Sequence, residues 1–142
     1  MKINDRIRNI KSTKAVAAVE FALMLPILLI ILFATVELST LLYDKTIITN
    51  AGRDATRVGI ISSATTDADI KAYVQNYCLN RLITFGGATS PTVTISRPLG
   101  SNSGNPLIVT VNYQFTGLVL GQIIQPQNWT QMLSSTTTMN YE

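Results

Sequence analysis

Apolar and polar positions follow three rhythms along this 142-residue chain. From Phe21 to Val36 the apolar run is broken only by Pro26 and Thr35, and Ala15 to Val19 extends it. A helix over 15–36 rises about 33 Å at ~1.5 Å per residue, enough to cross ~30 Å of hydrocarbon. The pattern then turns amphipathic. Between Lys45 and Val58, one face carries Lys45, Thr49, Arg53 and Arg57, and the opposite face carries Ile48, Ala51, Ala55 and Val58, with Gly52 and Gly59 adjacent. This is helical spacing, and small residues suit close packing. On the polar face an Asp54–Arg57 pair is expected.

After a polar break at 62–66, Thr66 reads as the N-cap of a second helix with Asp67 and Asp69 in its first turn. Ile70, Tyr73, Val74, Tyr77, Cys78 and Leu82 then recur at i, i+3, i+4, i+7, i+8 and i+12, an apolar stripe. Gly86-Gly87 closes this region.

The third rhythm is alternation. Thr92–Ser96 and Leu107–Phe115 read as strands joined through the Gly100–Pro106 turn, and a Thr-rich third strand is expected over Ser134–Tyr141. The apolar face of such a sheet needs a cover, most simply the helix from Ile70 to Leu82. Gly117–Ile124 has no clear period and either packs under the sheet or forms a partner patch. The fold class is α+β: a long N-terminal transmembrane and assembly helix, a second amphipathic helix and a small antiparallel sheet of about three strands. The division expected is a basic leader (1–15), the long helix (16–61) and an extracytoplasmic α+β domain (62–142).

Charge orients the helix. Lys2, Arg6, Arg8, Lys11 and Lys14 face only Asp5 in residues 1–14, a net +4, while the remainder is at −1. Cations on one flank of an apolar run place that flank in the cytoplasm and the rest across the membrane, so a single pass is expected, with no nucleic-acid role for the basic tail. With no His, one Cys and no glycine-rich phosphate loop, the chain offers no base, metal set or nucleophile arrangement. No enzyme activity, metal or cofactor is expected. Cys78 lies on the apolar stripe and reads as a buried structural thiol. Asn128-Trp129-Thr130 fits a glycosylation triplet, to which no role is assigned.

Glu20 stands inside the apolar segment. A carboxylate there is costly alone, so it either snorkels to the interface or awaits a cation that an assembly supplies. The order of basic leader, small residue, four residues, Glu and long apolar helix is similar to the N-terminus of type IV pilins. The pieces Ala18–Leu23, Leu25-Pro26, Val36–Leu38, Leu42-Tyr43 and Thr49–Arg53 continuing to Arg57 more narrowly resemble the TadE-like family. These are minor pilins or pseudopilins of tight-adherence (Tad, Flp) pili.

The resemblance implies prepilin-peptidase cleavage between Ala15 and Val16, though the family favours Gly where Ala15 stands. It also implies a Val16 amine that pairs with Glu20 of a neighbouring subunit, an inner-membrane location and Tad machinery as partners. Pro26 removes one helix hydrogen bond and reads as a kink, either simply tolerated in lipid or a bend that helps the helix enter a filament. Glu37 lies about 25 Å along the axis from Glu20 and reads as a headgroup-level boundary residue. Glu37, Arg53 and Arg57 are candidate partner contacts.

Two readings stay open: a processed pilin, and an unprocessed membrane-anchored module whose outer domain docks the pilus or secretion machinery or a ligand. A secreted domain released by signal peptidase is a third. It is disfavoured because no small-x-small site follows the run.

Overall fold

The computed structural model describes residues 3–61, 64–85, 89–117 and 130–142, with side chains of the first helix described from residue 14. The Gly86-Gly87 stop, residues 118–124 of the unpatterned segment, Asn128-Trp129 and the leader side chains through Lys11 lie outside the described residues. The element order is α1 (Ile3–Ile61), α2 (Asp67–Cys78), β1 (Thr92–Ser96), β2 (Pro106–Thr116) and β3 (Thr130–Asn140). This is the α+β arrangement expected. Two compact units divide the chain, Met1–Val36 and Glu37–Glu142, and α1 contributes to both.

In the first unit, α1 continues through Pro26 without interruption. Its apolar side chains are open: Val16, Phe21, Leu23, Ile27 and Leu28 are each more than half exposed. The apolar window has a mean hydropathy of 2.7 and none of it is buried. A helix apolar all round is stable only when lipid or other helices cover it.

In the second unit, β2 is the central strand, antiparallel to β1 on one side and β3 on the other. Alternation sends Leu107, Val109, Val111, Tyr113 and Phe115 to the inner face, all buried. Each such side chain contributes about 1.5–3 kcal/mol by leaving water. Phe85 closes one end of this core, edge-on to Phe115 with centroids 6.5 Å apart.

The cover of the inner face differs from the expectation. The distal part of α1 supplies much of it, with Ile48, Ala51, Gly52, Ala55, Thr56 and Gly59 forming its buried stripe. Val58, expected on this face, is 38% exposed. Thr56 takes the buried place because its hydroxyl is satisfied within the helix, donating to the Gly52 carbonyl at 2.6 Å. Gly59 faces both Leu107 of β2 and Ile70 of α2.

Helix α2 begins as expected, with Thr66 as N-cap and a reciprocal capping box to Asp69. It ends earlier than the stripe implied. Ile70, Val74 and Cys78 are its buried residues, and Leu82 lies beyond the helix. Asn80, at φ 61°, turns the chain into the left-handed region, which Asn tolerates and a continuing helix does not. The third strand is longer than expected at its start, Thr130–Asn140, because all eleven residues of β2 pair with it. Tyr141, just past the strand, stays tied by its N–H to the Asn105 carbonyl at 2.9 Å.

Candidate functional site

The residues singled out from sequence fall in two groups. Ala15, Val16, Glu20 and Pro26 all stand on α1 within the first unit, and all are exposed. Helical geometry and the open apolar surface place the Glu20 carboxylate among side chains that need an apolar cover. Glu37, Arg53 and Arg57 belong to the second unit. Arg53 and Arg57 are exposed, on the side of α1 away from its buried stripe. An Asp54–Arg57 ion pair is not formed among the described residues; one that is formed joins Arg97 to Asp67.

Glu37 is only 3% exposed. It starts a stripe that continues through Asp44, Ile48, Ala51 and Ala55, so the buried face of α1 opens with two acids seven residues apart. Sequence reasoning missed Asp44. The available signal was its place four residues before Ile48, on the same face.

Asp44 is fully buried, and its Oδ1 accepts the Ile83 N–H at 2.9 Å. Its Oδ2 has no hydrogen-bond partner among the described residues. Burial pushes the Asp44 carboxyl above its ordinary value, against the smaller opposing pull of the Ile83 N–H. Cys78 and Tyr113 feel the same charge. Burial raises the Cys78 thiol to about 11, Arg81 lowers it and Asp44 raises it. Cys78 is 3% exposed, on the buried stripe where the apolar spacing put it. Tyr113 is raised chiefly by burial and secondarily by Asp44, while the Thr84 and Thr89 side chains hydrogen-bond its hydroxyl.

Arg97 is a second residue that pattern reading missed, because it lies just past a short strand. Its Nε donates to the Tyr141 hydroxyl at 2.7 Å, its Nη2 to the Thr65 carbonyl at 3.3 Å, and its Nη1 pairs with Asp67. One guanidinium thus ties the entrance of α2 to the end of β1 and to the residue after β3. Among the described residues, no group of three or more His, Cys, Asp or Glu is placed to hold a metal ion.

A helix long and apolar enough to cross a membrane, continuing into an α+β unit, fits a membrane-anchored protein. Residues 15–57 match the family model described as TadE-like protein, which spans Glu20, Pro26, Glu37, Arg53 and Arg57. A TadE-like segment on such a helix fits a pilus-associated membrane protein. No curated protein matches the chain, and no solved structure matches it.

Proposed function

We propose that this chain is a minor pilin or pseudopilin of a Tad-type pilus. It inserts in the inner membrane with its basic flank in the cytoplasm, is cut by prepilin peptidase between Ala15 and Val16, and takes part in pilus assembly. The observation that carries the reading is the overlap of the TadE-like match with an apolar helix that has no cover of its own. Glu20 is the only acid between Lys14 and Val36, and a released Val16 amine would lie four residues from it. In a stack of such helices the amine of one subunit and the carboxylate of the next satisfy each other in low dielectric. Because an unpaired partner is penalised, the pair sets the axial register. Pro26 eases the first turns for that packing, and Arg53 and Arg57 on the exposed face of α1 offer cations to neighbouring machinery.

Ala15, in the place of the usual Gly, favours a second reading: an unprocessed anchored module that docks the machinery from the membrane. The N-terminal residue separates the two. Intact mass and N-terminal peptide mapping on membrane and sheared surface fractions should find Val16 as the first residue and recover the protein in the sheared fraction. A start at Met1 with retention in membranes overturns the processed-pilin reading in favour of the anchored module.

A further inference from the structure

The two edges of the sheet are finished differently. On one side β1 has five residues, and before its start the Thr89 hydroxyl and the Phe85 N–H donate to the Gln114 and Thr116 carbonyls of β2. On the other side β3 runs eleven residues, none of them charged, Pro or Gly. It keeps one register with β2, from Asn140 opposite Pro106 to Thr130 opposite Thr116, so no bulge interrupts it. Open edges are ordinarily protected by shortness, charge, Pro, bulges or a cover, because their unpaired backbone groups accept another strand. Of these devices β3 shows one, supplied from α1: the Lys45 ammonium donates to the Ser134 carbonyl.

The ladder fixes which backbone groups of β3 point outward. The Gln114 and Thr116 carbonyls aim at the β1 side, so even positions of β2 face β1 and odd positions face β3. The odd positions of β3, paired with those of β2, face back to it, and its even positions from Thr130 to Asn140 aim N–H and C=O away from the sheet. The Lys45 bond to Ser134 agrees with this. Tyr141 keeps the inward pattern, its N–H on the Asn105 carbonyl, so Glu142 continues the outward one. Among the described residues, no other hydrogen bond engages the outward backbone groups of β3.

We propose that this edge pairs with the same edge of a second copy of the chain, antiparallel about a two-fold axis at Thr138. Charge selects the register. Full overlap about Ser135 sets the two Ser134 residues, each holding a Lys45 ammonium, about 7 Å apart along the strands with no acid between them. Moving the axis to Thr138 pairs Thr138 with itself and Thr136 with Asn140. It also brings the exposed Glu142 of each copy level with Ser134, and so with Lys45, of the other. The Ser134 carbonyl has a second lone pair for the incoming N–H. Uncharged Ser and Thr place no like charges opposite one another, and Thr–Thr pairs suit neighbouring strands. The flank beside β1 being closed, the pairing joins two three-stranded sheets into one of six and ends there, as a two-fold contact does. The proposal is independent of whether Val16 becomes the N-terminus.

The test uses the full chain in proteoliposomes at low protein density. Residues opposite one another in a hydrogen-bonded antiparallel pair have Cα atoms about 5.5 Å apart, within disulfide reach. Thr138→Cys should therefore cross-link to a dimer under mild oxidation. Ser134→Cys, about 27 Å from its own copy in this register, should not. The parent chain, whose Cys78 is buried, gives the background. On the Thr138→Cys chain, Lys45→Glu and Glu142→Lys should each lower the cross-linked fraction about threefold or more. The two together should restore it, a recovery that a merely destabilised single variant does not show. The proposal is overturned if Thr138→Cys yields no dimer, if Ser134→Cys cross-links as readily, if either charge reversal leaves the yield unchanged, or if the double reversal fails to restore it. It is also overturned if Thr138→Cys in cells joins a different protein in place of a second copy, which makes the edge a contact between unlike chains.

Discussion

Oδ1 of Asp44 accepts a 2.9 Å hydrogen bond from the backbone N–H of Ile83, across thirty-nine positions of chain. This contact fixes the segment after α2 against the buried stripe of α1. The carboxyl is fully buried and its proton is held more tightly than in the unfolded chain. A raised folded value means that the associated stability is complete below the unfolded pKa and is lost as pH rises through the folded one. Asp44→Asn keeps an acceptor for Ile83 without a charge. It should raise the thermal midpoint at neutral pH and flatten the decline above the ordinary carboxylate range. Asp44→Ala, which strands the N–H, should cost about 1–3 kcal/mol in denaturant unfolding.

Gly59 and Gly52 should respond oppositely to alanine. A Cβ at Gly59 would lie 2.6 Å from Leu107 Cδ2 and 2.8 Å from Ile70 Cδ1, both on fully buried side chains. Gly59→Ala should therefore destabilise by about 1–2 kcal/mol, overpacking outweighing the gain in helix propensity. At Gly52 the nearest atoms, Thr137 Oγ1 and Val111 Cγ2, are both 3.5 Å away, an ordinary contact. Gly52→Ala should be neutral or stabilise by up to about 1 kcal/mol. Parallel urea unfolding of the two variants checks the contrast.

Arg97 holds three partners with one planar group. Arg97→Ala should cost about 1–3 kcal/mol, since the Tyr141 hydroxyl and Thr65 carbonyl lose a charged donor together. Arg97→Lys should recover less than half of this loss, because an ammonium cannot serve three separated acceptors in a fork. Hydrogen exchange should show the loss concentrated at Tyr141 and the first turn of α2.

The capping box predicts a pH response of opposite sign to that of Asp44. Bonds from the Thr66 side chain and backbone N–H hold the Asp69 carboxyl below its ordinary value. Its contribution is present above the unfolded pKa and is lost as pH falls through the folded one. Thr66→Ala should cost about 1 kcal/mol, as N-cap losses do. It should also return the Asp69 titration, followed by carboxyl NMR shifts, toward the ordinary value.

The sequence by itself determined the elements and their local devices. Continuous apolarity marked the long helix, Thr66 with Asp69 marked the start of α2, alternation marked β1 and β2, and a Thr-rich run marked most of β3. The residues from Val-Glu-Phe to Arg57 carried the TadE-like resemblance that the family match repeats. These signals are local, set by period, caps and neighbouring residues. Tertiary structure alone decided what covers the sheet and where the buried charges lie. Glu37 reads in the sequence as a headgroup-level boundary residue and Asp44 carries no signal of its own, yet the fold buries both, and the Ile83 N–H reaches Asp44 from thirty-nine positions away. Arg97 gains meaning only when Thr65, Asp67 and Tyr141 converge on it. Such positions depend on contacts thirty or more residues apart, and a side chain's polarity does not disclose whether a distant strand will remove it from water.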